Sequence, residues 1–112
     1  MTQPTLDVLH SALSGLALRQ RIIADNIANV ETPHFLAGRV DFESALSDAM
    51  ADGDGSLAEP TVARSLEPTR TNGNNVNLDQ ETLALIDTGL RYQMIAQAVS
   101  GKFQLLRTAL QR

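Results

Sequence analysis

The stretch that most resembles a metal-binding loop is Asp52-x-Asp54-x-Ser56. Alternating oxygen donors of this kind are the ligands that calcium takes in an EF-hand loop. A loop starting at Asp52 would need glycine at its sixth position and glutamate at its twelfth, but these positions hold Leu57 and Ala63. Because the pattern fails where the geometry is strictest, we predict no metal site and no cofactor.

No other group of residues has the spacing of a catalytic or metal site. The two histidines, His10 and His34, lie on different segments and the chain has no cysteine, so a zinc site is not expected. Neither histidine lies near a glycine-flanked serine nucleophile, and there is no Gly-x-x-x-x-Gly-Lys phosphate loop. We therefore predict no catalytic residues, no small-molecule substrate and no enzyme activity.

The composition favours a chain built from helices with an aliphatic core. Hydrophobic residues make up 43% of the 112 residues, but only 4% are aromatic, so large rings cannot supply most of the buried area. No run approaches the roughly 18 apolar residues of a membrane span. The first residues lack the basic flank and apolar stretch of a secretory signal. We expect no direct membrane insertion and no cleaved signal peptide.

Charge is unevenly distributed along the chain, which has a net charge of −4. Residues 31–87 contain eleven acidic and three basic side chains, whereas residues 88–112 contain four basic side chains and no acidic one. An acidic chain is poorly suited to neutralising phosphates, so we expect no nucleic-acid partner. We interpret the basic C-terminal part as cations near a helix C-terminus, where they interact favourably with the helix dipole.

A heptad repeat predicts a long N-terminal helix over residues 5–31. Two apolar series offset by three residues form the repeat, with Gln20 as the one polar member: Leu6, Leu13, Gln20 and Ile27, and Leu9, Leu16, Ile23 and Val30. Thr5 is a candidate N-cap, and the helix should end before Pro33, because a following proline disfavours the α conformation of Thr32.

A second repeat predicts a C-terminal helix over residues 77–111. Its series are Leu85, Tyr92, Val99 and Leu106, and Thr82, Gly89, Ala96, Phe103 and Leu110. Asn77 is a candidate N-cap, with Gln80 three residues later and acidic residues in the first turn.

The two repeats together predict an all-α fold, in which the long N- and C-terminal helices form an antiparallel coiled-coil-like pair within one domain, residues 1–112. We expect the facing seam residues to be Leu9, Leu13, Leu16, Ile23 and Ile27 on one helix, and Leu85, Tyr92, Val99, Phe103 and Leu106 on the other. Further apolar residues lie off these seams and exceed what one partner helix can cover: Leu18, Ile22, Ile86, Leu90, Met94, Ile95 and Leu105. Some of them should be buried by the middle segment or by other subunits.

The middle of the chain, residues 32–76, is predicted to be irregular and partly disordered. Residues 35–46 are interpreted as a short extended or irregular segment followed by a helical turn. Residues 48–75 are rich in Gly, Asp, Pro, Ser and Asn, which indicates a mobile loop. Glycines inside the helices, such as Gly15 and Gly89, are either tolerated weak points or places of close backbone approach.

Two stretches resemble known proteins. Residues 24–35 read Ala-Asp-Asn-Ile-Ala-Asn-Val-Glu-Thr-Pro-His-Phe. They resemble the N-terminal motif of flagellar axial proteins (rod, hook and hook-associated), roughly Ala-x-Asn-Ile-Ala-Asn-x-x-Thr-Pro-Gly-Tyr. Residues 72–81, Asn-Gly-Asn-Asn-Val-Asn-Leu-Asp-Gln-Glu, and the helix that follows resemble the C-terminal pattern of FlgB-type basal-body rod proteins.

This resemblance implies a structural subunit of the bacterial flagellar proximal rod, exported without a cleaved signal peptide. Its implied partners are other flagellar rod proteins, copies of itself, and the MS-ring and export-gate side of the basal body. The implied turn-motif residues are Asn26, Asn29, Thr32, Pro33 and Phe35. We expect Asn26 and Asn29 to hydrogen-bond the backbone around the Thr32-Pro33 turn or a neighbouring subunit, with Asn29 alternatively only a C-terminal helix cap.

One departure from the family pattern concerns the turn. His34 stands where the family usually has glycine, and a non-glycine residue can adopt this position without a steric cost only if its φ is negative. The alternative function for such a helical chain is an intracellular adaptor or chaperone of a secretion system.

Overall fold

A computed structural model describes residues 4–53 and 60–111 of the chain. The molecule is elongated, with principal extents of 65 × 27 × 14 Å. Its two long helices are α1 (Pro4–Ala28) and α3 (Leu78–Leu110), which pack against each other in an antiparallel pair. The predicted pairing of long terminal helices is therefore confirmed.

The helix ends follow local signals in the sequence. The side chain of Asn77 accepts a hydrogen bond from the Gln80 backbone N–H at 3.2 Å, so α3 begins with the expected N-cap. α1 already includes Pro4, one residue before the expected cap at Thr5; proline suits the first turn because its missing N–H would be unpaired there. α1 ends at Ala28, three residues short of the expected boundary.

The middle of the chain contains more regular structure than the sequence predicts. Strands β1 (Gly38–Val40) and β2 (Val62–Arg64) form an antiparallel pair, and helix α2 (Phe42–Ala51) follows β1 directly. The extended segment followed by a helical turn that was expected over residues 35–46 agrees with β1 and the start of α2, but the prediction of an irregular segment is wrong for the rest of α2 and for β2. Packing against α1 stabilises β1 and α2, and pairing with β1 stabilises β2. The Asp54-x-Ser56 part of the calcium-like loop lies outside the described residues.

Helix α2 is capped by Asp41, whose side chain accepts hydrogen bonds from the backbone N–H and hydroxyl of Ser44. These two bonds lower the pKa of Asp41 below its ordinary value. The charged cap therefore favours the start of α2 at neutral pH.

The hydrophobic core lies where α2 and β1 meet the middle of the helix pair. Its fully buried members are Ala12, Leu16, Val40 and Phe42, and partly buried residues including Tyr92 and Ile95 pack against them. A Cβ atom on Gly15 would lie 2.6 Å from the Phe42 ring, so Gly15 permits close approach of this ring to the α1 backbone. Of the two alternatives for glycines in the helices, close approach therefore applies to Gly15.

None of the described helices combines the length and apolar character needed to cross a membrane.

Candidate assembly interface

The predicted seam is buried in its central part. Leu16 is 1% exposed and Ile23 is 5% exposed, and Leu16 shares the core cluster with Tyr92 of α3. Four further seam residues are half-buried: Leu9, Leu13, Ile27 and Val99. The middle of the seam therefore holds the two helices together within one chain.

Three predicted seam residues of α3 are exposed within the chain, one near the start of the helix and two near its end. Leu85, Phe103 and Leu106 are exposed by 37%, 52% and 40%, so their predicted intramolecular burial is wrong. For Phe103 and Leu106 the reason is helix length, since α3 has 33 residues and α1 has 25. Asn26 bonds to Glu81, and this antiparallel register places Pro4 opposite Phe103. The last seven residues of α3, about 10 Å of helix, extend beyond the described end of α1.

The uncovered end of the seam face forms one of two exposed apolar surfaces on α3. We call this surface the seam overhang; it consists of Phe103, which is level with the described end of α1, and of Leu106 and Leu110 beyond that end. It continues the face that contacts α1 further along α3. An apolar face that ends a coiled-coil seam without a facing helix is an incomplete packing surface.

The second exposed apolar surface runs along the opposite side of α3. We call it the outer stripe; its members are Leu83, Ile86, Leu90, Met94 and Leu105, each more than half exposed. Their spacing of three, four, four and eleven residues keeps them within about one side of a helix with 3.6 residues per turn. The other off-seam residues, Leu18, Ile22 and Ile95, pack against the core. Surplus apolar surface is therefore concentrated on α3.

A buried polar cluster fixes the end of the helix pair where the two family-like stretches meet. We call it the polar clasp; its members are the buried Asn26, Asn74, Asn75 and Glu81, together with Arg39, whose side chain is partly exposed. Asn26 is fully buried, and its side chain accepts a hydrogen bond from Gly38 N–H at 2.8 Å and donates one to Gly38 C=O at 3.0 Å. The amide of Asn26 thus pairs with the free edge of β1 as a neighbouring strand would.

The same Asn26 amide group reaches across to α3. It donates to Glu81 Oε2 at 3.1 Å, and Arg39 donates to Glu81 Oε1 at 2.7 Å. Glu81 is 2% exposed, so both carboxylate oxygens are paired inside the protein. Removing one partner of such a buried charge is strongly destabilising, because the remaining charge has lost its solvation. The clasp therefore couples α1, β1 and α3.

Two consecutive asparagines tie the chain before α3 to the turn after α1. Asn74 donates to the carbonyl oxygens of Asn29 and Thr32, each at 2.8 Å. Asn75 accepts from Ala37 N–H at 2.7 Å and donates to the carbonyls of Ser65 and Glu67. The side chain of Arg70 also donates to the Val30 and Val76 carbonyls. These bonds order residues 65–76 around the turn.

The remaining turn-motif residues make local contacts. Asn29 donates to the Asp25 carbonyl at 2.8 Å and accepts from the Thr32 hydroxyl at 3.0 Å, an arrangement typical of a C-terminal helix cap. Pro33 is exposed, and the Phe35 ring lies 5.5 Å from the Arg64 guanidinium carbon. Only Asn26 of the two motif asparagines bonds the backbone beyond the turn.

His34 does not have the negative φ that a non-glycine residue adopts without a cost. His34 has a φ of 63°, the left-handed conformation that glycine adopts without a steric cost. Its backbone N–H donates to the Asn72 carbonyl at 2.9 Å, and its ring lies against Gly73. A Cβ atom on Gly73 would come within 2.5 Å of His34 Nδ1, so this glycine makes room for the histidine. The turn therefore keeps the geometry of a glycine-containing turn.

Sequence reasoning missed most of the polar clasp. It identified Asn26, but it assigned no hydrogen-bonding role to Arg39, Asn74 or Asn75, and it placed Glu81 only as an acid in the first turn of the helix. Two consecutive asparagines directly before a capped helix are a usable signal, because their side chains commonly satisfy backbone groups in turns. Glu81 carried no such signal, since a glutamate in the first turn of a helix is ordinarily solvated.

Comparison with known proteins places this arrangement in a family. The family model described as "Flagella basal body rod protein" matches residues 6–35, which comprise most of α1 and the turn motif. The chain is 31% identical to the flagellar basal body rod protein FlgB of Bacillus subtilis, over 95% of this chain and 92% of that protein. The FlgB proteins of Borreliella burgdorferi and Escherichia coli are 27% and 31% identical, over 95% and 89% of this chain and 95% and 88% of theirs.

The chain belongs to the FlgB family of flagellar basal body rod proteins. It is a structural subunit of the bacterial flagellar basal-body rod. In this FlgB-family chain, the residues matched by the family model include Asn26, the centre of the polar clasp, and Leu16 and Ile23 of the buried seam. The matched range thus includes the α1 residues that contact α3 and so position its exposed apolar surfaces.

Proposed function

We propose that this FlgB-family chain forms part of the proximal rod, the axial drive shaft of the flagellum, and assembles through α3. The observation that carries the proposal is that the seam overhang and the outer stripe are both exposed on α3, while the polar clasp holds the N-terminal end of this helix. Apolar surfaces on two faces suit a subunit that is surrounded by neighbours in a polymer. The polar clasp holds α3 in one orientation for this packing.

The proposed neighbours are other rod proteins, copies of this chain, and the MS-ring and export-gate side of the basal body. We also propose that the chain reaches its place, the periplasmic part of the rod, through the flagellar export apparatus without a cleaved signal. The narrow fold supports this route, because few residues outside the core and the clasp are fully buried. Such a fold has little packing to disrupt before passage, and neighbours in the rod complete its burial.

The proposed assembly residues are the predicted seam set, divided by the structure into two groups with different roles. The buried group, represented by Leu16 and Ile23, stabilises the helix pair within the chain. The exposed group, Leu85, Phe103 and Leu106, is available for contacts with neighbouring subunits. Substitutions in the first group should disrupt the fold, whereas substitutions in the second should disrupt assembly alone.

The test is to isolate basal bodies from the source bacterium and identify their subunits by mass spectrometry, with and without the gene. We expect the chain in purified basal bodies, and loss of flagella in the deletion strain with rescue by the intact gene. A Phe103→Asp and Leu106→Asp double variant should keep normal helix content but fail to rescue. A chain found only in the soluble fraction, with intact flagella in the deletion strain, would indicate the adaptor function instead.

A further inference from the structure

The turn before α3 contains the only asparagine in the sequence that is followed by glycine, Asn72–Gly73. In such a pair the glycine nitrogen can approach the asparagine carboxamide closely, because glycine has no side chain to hinder it. The other asparagines are followed by larger residues: Ile27, Val30, Asn75, Val76 and Leu78. We therefore expect reaction between backbone and side chain at position 72 before any other asparagine.

The reaction is a deamidation that consumes water and releases ammonia. The Gly73 nitrogen loses its proton and forms a bond to Cγ of Asn72, while the bond from Cγ to the amide nitrogen breaks and this nitrogen leaves with the proton as ammonia. The product is a cyclic succinimide, and water then breaks one of the two bonds from its nitrogen to a carbonyl carbon. One cleavage leaves aspartate in a normal backbone. The other leaves isoaspartate, in which the main chain runs through Cβ and Cγ.

In the folded chain, hydrogen bonds hold the atoms that would react. The Gly73 N–H donates to the Arg70 carbonyl at 2.9 Å. The Asn72 Oδ1 accepts from the Asn74 N–H at 3.1 Å, and the Asn72 carbonyl accepts from the His34 N–H at 2.9 Å. A succinimide nitrogen carries no hydrogen, so the reaction cannot be completed while Gly73 stays bonded to Arg70. The closed turn therefore opposes the reaction.

Long-range contacts keep this turn closed. Asn74 of the polar clasp donates to the carbonyl oxygens of Asn29 and Thr32. On the other side, a Cβ atom on Gly73 would lie 2.5 Å from Nδ1 of His34, so the histidine ring leaves the glycine no room to move. Opening of the turn requires these contacts to break, which couples the reactivity of Asn72 to the folding of the chain around α1.

We propose that Asn72–Gly73 is a site of spontaneous deamidation that is protected by the folded turn, so that the modification accumulates in chains whose polar clasp is open. The inference goes beyond the proposed rod function and does not depend on it. Isoaspartate at position 72 lengthens the main chain beside Gly73, which is already in close contact with His34. It also displaces Asn74 from the carbonyls that it bonds. A chain modified in this way does not close the clasp again.

The first test compares the full chain in buffer and in denaturing urea, at the same mildly alkaline pH and temperature. Mass spectrometry of proteolytic peptides locates the exchange of amide nitrogen for oxygen and separates aspartate from isoaspartate. We expect deamidation at position 72 to be at least about tenfold slower in the folded chain, because it requires an unfavourable opening of the turn. Asn26→Asp, which weakens the clasp, should raise the rate in buffer more than the control Asn29→Asp does.

The second test measures whether the modified chain refolds. After urea is removed, deuterium uptake is measured in the peptide that spans residues 70–76, whose Asn75 N–H donates to the Phe35 carbonyl at 3.2 Å. We expect Asn75 to exchange at least about tenfold faster in the isoaspartyl form than in the variant Asn72→Asp, which has the same charge and a normal backbone. Equal deamidation rates with and without urea would overturn the proposal, as would reaction at another asparagine or isoaspartyl chains that refold like Asn72→Asp.

Discussion

A single substitution at Asn26 tests whether the polar clasp positions α3. Asn26→Asp replaces the amide NH₂, which donates to Gly38 C=O and to Glu81, by a carboxylate oxygen. Glu81 Oε2 then loses its donor, at a cost of about 1–3 kcal/mol, while the Gly38 carbonyl keeps its bond from Arg39 at 3.0 Å. A second buried carboxylate also comes to lie beside Glu81. We expect a total loss of about 4 kcal/mol at pH 7, a large part of the stability of a small domain.

The loss should shrink as the pH falls, because two adjacent carboxylates share a proton and the protonated acid can again donate to Gly38. The assays are urea unfolding followed by helical circular dichroism, and amide exchange at Gly38, whose N–H bonds to Asn26 Oδ1. The control is Asn29→Asp, a half-buried capping position, where we expect a loss of less than about 1 kcal/mol. Equal losses at positions 26 and 29, or a loss at 26 that does not change with pH, would refute a buried clasp.

Three further predictions concern separate parts of the chain. Leu16→Asp places an unpaired charge at a site 1% exposed and should abolish helix pairing, seen as lost helicity, whereas Leu90→Asp on the outer stripe should leave helicity intact. His34→Gly should raise the free energy of unfolding by about 0.5–1 kcal/mol, since it removes a non-glycine residue from positive φ, and Gly73→Ala should lower it. Burial raises the pKa of Glu43, but the hydrogen bond from Arg19, a backbone hydrogen bond and the charge of Arg19 together lower it more, so the net pKa lies below the ordinary glutamate value. The pair therefore stabilises the fold at pH values above the ordinary glutamate pKa. This contribution is lost as the pH falls through the lowered pKa. Glu43→Gln should therefore flatten stability against pH in acid by less than about 1 kcal/mol, since the side chain is 45% exposed; an unchanged acid profile would contradict this.

The sequence by itself determined the two long helices and the ends of α3. The heptad spacing predicts a helix pair whatever the conformation of the middle segment, because an apolar helix face that repeats every seven residues packs along another helix. The Asn77 cap was equally readable, since it depends on groups three residues apart. The family-like turn was visible as a motif, and Asn26 was singled out within it.

The tertiary structure alone decided which apolar residues are free and how the turn is held. The exposure of Phe103 and Leu106 follows from the register of α1 against α3, which is seen in the Asn26–Glu81 bond. No local sequence pattern predicts this register. The composition of residues 48–75 predicts a mobile loop, yet Asn74 and Asn75 hold the later part of this stretch through bonds to partners up to 45 residues away. His34, which has a positive φ, packs its ring against Gly73, a residue that is distant in sequence. Long-range polar contacts of this kind have no periodicity, so they become visible only once the chain has folded.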